Sequence, residues 1–368
     1  GCSAEKAKAL FVFGDSYADT GNHDPYNASI NEAWRRPYGI NWPGYPAGRY
    51  SSGKIQTDRW AEILGLPTPI AYQKLKTHNC EEIPEKIIHG INFAVGGSGI
   101  FKDYGYITVP YQVKQFKEIL KKTDLFDAHD LARSVVLLSN AGNDYFAYLD
   151  SHNNNLTGLV NLVPSVVSGI EMVLKELYGY GFRNFVVSNV VALGCVPEVG
   201  RVSCDSRYEE TVTRHDKLLT KHVEKLKSDL IGSNIIIPDL PSVTVYILSN
   251  AINYGFKDWF APCCAIKNNT SGCAEVDEKG TTMFEVCEDP NKRFYWDDRH
   301  PTHKGWYTMM SLYAYGDTNE GKEVSFVKGA PNLIEWVKSI GFDAHNISSC
   351  DTNIEIDKFR RQSYIKEE

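Results

Sequence analysis

The sequence predicts an α/β protein built on a central parallel sheet. Three observations point there. Short β-favouring apolar runs recur at 10–13, 90–95, 134–139, 184–188 and 234–238. They alternate with stretches whose apolar residues fall at helical spacing, the pattern of parallel strands joined by helical crossovers. The runs are also nearly continuous in apolar character, as strands covered on both faces are. A chain of 368 residues with 42% hydrophobic content can bury a large core. No internal repeat, heptad series or low-complexity linker marks a boundary. One domain over 1–368 is therefore expected, with a polar and less decisive segment from about residue 321.

Taken in order, the first strand ends at Gly14-Asp15-Ser16, where glycine and aspartate break the apolar run. A hydroxyl at that point lies at the rim of an open α/β sheet, where such folds place ligands. Taken alone, the same residues are an ordinary strand-to-loop junction with Ser or Asp as a helix cap. Residues 26–50 form a long loop rich in glycine, proline and aromatics, and loops of that length are commonly functional. A helix is expected over 57–64, burying Trp60, Ile63 and Leu64. The second strand ends at Gly96-Gly97-Ser98-Gly99. No Lys-Ser/Thr follows and the Gly-x-Gly-x-x-Gly spacing is missing, so a phosphate loop fits poorly; close backbone approach to a ligand, or a plain turn, fits better. A helix over 109–120 carries Val113, Phe116, Ile119 and Leu120 on one face. The third strand ends at Asn140-Ala141-Gly142-Asn143-Asp144-Tyr145. Further helices are expected over 159–178, 209–226, 243–253 and 306–314.

Bulk properties narrow the function. The net charge is −7 and no Lys/Arg block stands out, so no nucleic acid partner is expected. No apolar run approaches the roughly 18 residues that span a bilayer, so no transmembrane segment is expected. Nine cysteines, and Asn-X-Ser/Thr sequons at Asn27, Asn155, Asn268, Asn269 and Asn346, favour a secreted, glycosylated protein with disulfides. No signal peptide is visible, and a start at Gly1-Cys2 reads as that of a processed product. Cys195–Cys204 and bridges within 263–287 are the expected pairs, with the connectivity open. The odd count leaves at least one thiol unpaired, and Cys2 is the candidate. No Cys-x-x-Cys pair exists, which argues against a zinc site.

Near the other end the chain reads Trp296-Asp297-Asp298-Arg299-His300-Pro301-Thr302-His303. An Asp and a His three residues apart on a turn can face each other, so that the carboxylate fixes the imidazole tautomer and leaves the second ring nitrogen free to take a proton. The alternative is a surface Asp-His pair beside a Thr302 helix cap. His303 is expected to be a solvated helix residue. Serine needs such a base, because its hydroxyl is a weak nucleophile at neutral pH. It also needs donors for the oxyanion. The Gly96-Gly97 turn, the Asn143 amide and the N–H of Ser16 itself are candidates.

These blocks occur in a familiar order. Phe13-Gly14-Asp15-Ser16 with Asp19-x-Gly21-Asn22, then Asn92-Phe93-Ala94-x-Gly96-Gly97, then Gly142-Asn143-Asp144, then Asp297-x-x-His300-Pro301-Thr302 resemble the four blocks of the GDSL esterases/lipases, or SGNH hydrolases. Pro37-Tyr38-Gly39, Pro43-Gly44, Pro46-Ala47-Gly48-Arg49-Tyr50 and Asp58 are similar to its plant branch. The resemblance runs from about Leu10 to Tyr313. It implies a flavodoxin-like three-layer α/β/α sandwich and acyl-ester chemistry. It makes Ser16 the nucleophile, His300 the base, Asp297 its orienter with Asp298 as a rival, and Ser16, Gly97 (in preference to Gly96) and Asn143 the oxyanion hole. No metal or cofactor is implied. The substrate would be a small-molecule or lipid ester. An acyltransferase sharing the acyl-enzyme, of the kind that builds cutin or specialised esters, is the nearest alternative, and a non-catalytic secreted binding or defence protein a more distant one. Two departures stand out: Tyr17 replaces the usual leucine and is expected to shape the acyl pocket, and 23–35 reads as an insertion. The aromatics of 34–50 and around Trp296 suggest an apolar or aromatic substrate group, or else simply core.

Overall fold

Seven strands form the central sheet of the computed structural model, in the order β11-β6-β5-β4-β1-β3-β2. Residues 4–23, 31–101, 104, 107–266, 272–319 and 321–348 are described. The strands are β1 (Leu10–Gly14), β2 (Ile70–Ala71), β3 (Ile91–Asn92), β4 (Val135–Ser139), β5 (Asn184–Val187), β6 (Asn234–Pro238) and, at the edge, β11 (Val327–Lys328). All neighbouring pairs are parallel except β11 with β6. Strand β1 lies between β3 and β4, with Leu10 to Gly14 opposite Val135 to Ser139. Its full burial explains why no polar residue interrupts the run.

Side chains alternate across β1. Phe11 and Phe13 face one layer, where each meets Phe116 edge-on at 5.3 and 6.0 Å. Phe11 also meets Phe182, and Phe13 stacks on Phe93. That layer holds α3 (Val109–Lys122), α6 (Leu156–Tyr180) and α7 (Glu209–Asp229), with α5 (Asn143–Ser151) against α6. The other layer holds α1 (Gln56–Ile63), α8 (Leu240–Ser249), α9 (His303–Tyr315) and α10 (Leu333–Ser339), gathered around α9. The result is the expected three-layer α/β/α arrangement. Short helices α2 (Ile83–Ile87) and α4 (Ala128–Ala132) complete the described set, with two-stranded ribbons β7 (Cys264–Ile266) with β8 (Phe284–Val286) and β9 (Asp317–Asn319) with β10 (Lys322–Val324).

The segment from about 321 is more ordered than its polarity suggests. It supplies β11 and α10, whose Trp336 packs edge-on against Trp60 of α1 at 6.0 Å. Against expectation, one described helix, α6, is long and apolar enough to span a bilayer by length and composition. Its Leu159, Val163, Val166, Val167, Ile170, Leu174 and Leu177 are fully buried against the sheet and α7, so its apolar face belongs to the core.

Three disulfides are present among the described residues: Cys195–Cys204, Cys263–Cys287 and Cys264–Cys273. Cys80 carries an exposed free thiol, and Cys2, expected to be the odd one, lies outside the described residues. Of the sequon asparagines, Asn155 and Asn346 are exposed, Asn155 capping α6; Asn27, Asn268 and Asn269 lie outside the described residues.

Candidate active site

Ser16 follows directly from the end of β1, and the chain around it is tied down by side chains. Gly14 has φ +144°, and a Cβ there would sit 2.1 Å from the Ser139 carbonyl oxygen, so only glycine lets β1 and β4 end this close together. Gln112 of α3 clasps Gly14 on both sides, accepting from its N–H at 2.7 Å and donating to its carbonyl at 2.8 Å. The buried Asp15 carboxylate accepts from Ala141 N–H at 2.6 Å, Tyr17 N–H at 3.1 Å and the Ser139 hydroxyl at 3.1 Å, joining the ends of β1 and β4. Burial outweighs these donors and pushes its pKa up to about 6. From the first turn of α1, Gln56 donates to Tyr17 O and Thr57 to Ala18 O.

The Asp297–His300 turn sits across the cleft from this junction. Trp296 N–H donates to His300 O at 2.7 Å, closing the turn, and Thr302 caps α9 immediately after it. Asp297 Oδ1 accepts from the backbone N–H groups of Arg299 and His300 and from His300 Nδ1 at 2.8 Å. Burial alone would raise the Asp297 pKa, but His300 and the hydrogen-bond donors, Tyr38 among them, hold it below the usual carboxylate range. An anionic acceptor at Nδ1 leaves Nε2 as the proton acceptor of the neutral ring. His300 Nε2 lies 2.8 Å from Ser16 Oγ. The three side chains, separated by 284 residues at the extremes, thus form one continuous hydrogen-bonded line.

Two strand ends supply N–H groups beside Ser16. The Gly96 N–H donates to Asp19 Oδ2 at 2.8 Å, so it is spent. Among the described residues no acceptor meets the N–H of Gly97 or of Ser16, and both residues line the cleft. Asn143, in the first turn of α5, donates through Nδ2 to Ser98 O at 2.8 Å, which fixes the amide and leaves its second N–H available. Asp19 also accepts from Gly21 and Asn22 N–H, while Asn22 donates to Asn92 O and Ala94 O, and Asn92 donates to Ala18 O and Thr20. This buried lacework sets the β3 turn against the turn after Ser16.

The cleft holds about 380 Å³ and is bordered by Ser16, Gly97, Asn143 and His300 together with Tyr50, Tyr104 and Phe146. The arrangement can deliver a serine alkoxide to a carbonyl carbon and stabilise the resulting oxyanion. The sequence profile of the GDSL-like lipase/acylhydrolases matches residues 10–311. The chain belongs to that family. A GDSL esterase/lipase of Arabidopsis thaliana is 35% identical over 312 residues, covering 82% of this chain and 85% of the relative. A second Arabidopsis GDSL esterase/lipase is 36% identical over 321 residues, with 84% and 89% covered. A GDSL lipase of Tanacetum cinerariifolium is 28% identical over 334 residues, with 86% and 87% covered.

Several expectations for this GDSL chain change on inspection. His303 is buried, not solvated: its Nδ1 accepts from Lys54 N–H at 2.9 Å, and burial with nearby Arg59 and Lys54 pushes its pKa down to about 3. Asp298, the rival orienter, makes no hydrogen bond to His300 among the described residues. It lines the cleft instead, its pKa raised to about 6 by burial and by Asp297 and Glu198. Tyr17 reaches the cleft, but its ring lies 5.7 Å from His300 and its hydroxyl donates to Arg299 O, so it braces the His300 turn. Of the aromatics of 34–50 and around Trp296, Tyr38 and Tyr50 line the cleft, whereas Trp34, Trp42 and Trp296 do not. Trp296 is fully buried under Tyr38, and Trp42 lies beneath Arg49 and Lys54. Of 23–35, His23 and Glu32 border the cleft and 24–30 lie outside the described residues.

Two features escaped sequence reasoning. Tyr38 donates to Asp297 Oδ2 at 2.6 Å across 259 residues, and Pro37-Tyr38-Gly39 is the signal that could have drawn attention to it. Arg299 forks onto Glu198, through Nε to Oε2 and Nη2 to Oε1, and lies 4.4 Å from the Phe146 ring centre, closing one side of the cleft. The one metal-like grouping among the described residues is Asp127, His129 and Asp130, where both carboxylates already serve the capping box of α4.

Proposed function

We propose that this chain hydrolyses carboxylic esters through an acyl-serine intermediate. Ser16 Oγ attacks the carbonyl carbon as its proton passes to His300 Nε2, and Asp297 stabilises the imidazolium that forms. The oxyanion is received by Ser16 N–H, Gly97 N–H and the free N–H of Asn143. His300 then gives its proton to the departing alcohol. Water, deprotonated by the same nitrogen, attacks the acyl carbon, and Ser16 leaves with the proton restored. The observation carrying this reading is the 2.8 Å approach of His300 Nε2 to Ser16 Oγ while Nδ1 lies against Asp297. The spent N–H of Gly96 supports Gly97 as the glycine donor. Chemistry of this kind on a small-molecule or lipid ester fits the family and the names of its relatives.

Three disulfides and the exposed sequon asparagines Asn155 and Asn346 support a secreted glycoprotein. The shared apolar cluster from Ala7 to Ile347 supports one hydrolase domain.

The test is a fluorophosphonate reaction followed by peptide mass spectrometry, with a parallel assay on aryl and alkyl esters. An adduct on Ser16 and loss of turnover in Ser16→Ala are expected. No adduct, or wild-type hydrolysis by Ser16→Ala, overturns the reading. Adding alcohols to the same assay separates hydrolysis, with free acid as product, from transfer, with a new ester as product.

A further inference from the structure

We propose that Tyr38 is a positioning residue of the active site, whose hydroxyl holds Asp297 and sets how strongly that carboxylate binds the His300 imidazolium. The inference deepens the proposed hydrolytic reading and rests on its assignment of Ser16, His300 and Asp297.

The two oxygens of Asp297 are held by different donors. Oδ1 is held by two backbone donors of its own turn. Oδ2 has no backbone donor, and the Tyr38 hydroxyl at 2.6 Å is the one side chain besides His300 that donates to it among the described residues. Without Tyr38 that oxygen is buried with only the imidazole to satisfy it. A carboxylate in that state is more basic and freer to rotate.

Tyr38 is itself fixed from elsewhere. Its ring is 1% exposed and packs edge-on against Trp296 at 5.6 Å. Together with Ile40, Cys263, Cys264 and Cys273 these two rings form a small apolar cluster apart from the main core. The cluster is pinned to the Asp297 turn, because Cys263 N–H donates to Tyr295 O and Cys264 N–H to Trp296 O. The Tyr38 hydroxyl therefore cannot follow Asp297 if the carboxylate swings. Burial and the neighbouring carboxylate hold its pKa well above that of free tyrosine, so it remains a donor across the working range.

Other titratable and charged groups also face His300. Asp15 and Glu32 act through charge, the rings of Tyr17 and Tyr50 lie 5.7 and 5.2 Å away, and Arg299 adjoins it in the turn. Glu32 and Tyr50 also lie within electrostatic reach of the Tyr38 hydroxyl, so the Asp297→Ala background is what assigns a shift to Asp297.

The experiment compares wild type, Tyr38→Phe, Asp297→Ala and the double variant on an activated aryl ester, across pH, with fluorophosphonate labelling of Ser16 alongside. Tyr38→Phe is expected to lower kcat on the order of ten-fold, because a carboxylate free to rotate draws the imidazole out of line with Ser16 Oγ, with KM changed much less. The acidic limb of its kcat/KM profile moves to higher pH, because a carboxylate that has lost a donor holds the imidazolium more strongly. In the Asp297→Ala background the effect of Tyr38→Phe disappears. Tyr38→3-fluorotyrosine, a stronger donor with the ring retained, moves the limb the opposite way, and it decides the matter should Tyr38→Phe fold poorly. A wild-type limb in both Tyr38 variants overturns the proposal, as does a loss of kcat that persists undiminished in the Asp297→Ala background. Failure of wild-type Ser16 to label instead overturns the underlying hydrolytic reading.

Discussion

Asp19 Oδ2 accepts the N–H of Gly96 at 2.8 Å, and this bond occupies the donor of one of two adjacent glycines that border the cleft. The Gly96 N–H is taken up by the scaffold, and Gly97, at φ +82°, lines the cleft with no acceptor for its N–H among the described residues. The Asn143 amide flanks the same space, steadied by Ser98 O. Asn143→Ala is therefore expected to lower kcat by roughly 10²–10³ with KM within a few-fold. Steady-state kinetics on one ester series check it, and a loss below about ten-fold would remove Asn143 from the oxyanion hole.

Asp297 and Asp298 are neighbours with opposite electrostatics. Asp297 is held low, chiefly because His300 overcomes its burial, whereas Asp298 is raised to about 6. The folded-state pKa of Asp298 is above its unfolded value, so its ionised form opposes folding above about pH 6, and the opposition fades as pH falls toward 4. Asp298→Asn should raise Tm above pH 6, with the gain vanishing near pH 4, and should cost far less kcat than Asp297→Asn. Equal kinetic losses in the two variants would make Asp298 a partner of His300 after all.

His303 has the reverse sign. Its folded pKa lies near 3, below the unfolded value of 6.5, so the native state binds fewer protons between those limits. The fold therefore loses stability as pH falls below 6.5, on the order of a few kcal/mol by pH 4. His303→Asn, which can keep an acceptor for Lys54 N–H, should flatten that acid slope in urea titrations at pH 7, 5 and 4. An unchanged slope contradicts the assignment.

Cys264–Cys273 closes a short loop beside the active-site turn, and Cys273 borders the cleft. Replacing both cysteines by alanine should cost about 2–3 kcal/mol, the chain-entropy scale for a loop of that length. Because Cys264 N–H holds Trp296 O, kcat should fall as well. Denaturant unfolding and kinetics on the purified double variant check the two effects. Wild-type kcat in a destabilised protein would confine the bridge to stability.

Much of this molecule was legible because the strongest signals are local. The five apolar runs became β1, β3, β4, β5 and β6, and the helices at 57, 109, 159 and 209 lie within a few residues of their expected bounds. Strands β2 and β11 have two residues each, too few for any period to register, and depend on the neighbour that pairs them. Helix α5 is absent from the expected elements because Gly142-Asn143-Asp144 is turn chemistry; its glycine, at φ +156°, precedes the helix rather than ending the chain's regularity. His303 misled for a related reason. Its place after the Thr302 cap suggests a solvated first turn, but α9 starts against α1, and the groove there covers the ring. The Ser16, Asp297 and His300 contacts could be anticipated from residue chemistry and order. The Tyr38 contact could not, since nothing in the spacing of 38 and 297 joins an aromatic loop to a buried carboxylate.

The line from Ser16 to His300 also has a temporal meaning. Ser16 follows the first strand of the sheet, and His300 arrives 284 residues later, after β6 and the cysteine-linked ribbon. A nascent chain that has laid down β1 through β6 already holds Ser16, Gly97 and Asn143, yet it lacks Asp297 and His300. Under the proposed mechanism hydrolytic competence thus comes late in synthesis, and a chain cut between β6 and residue 297 keeps most of the sheet but lacks Asp297 and His300.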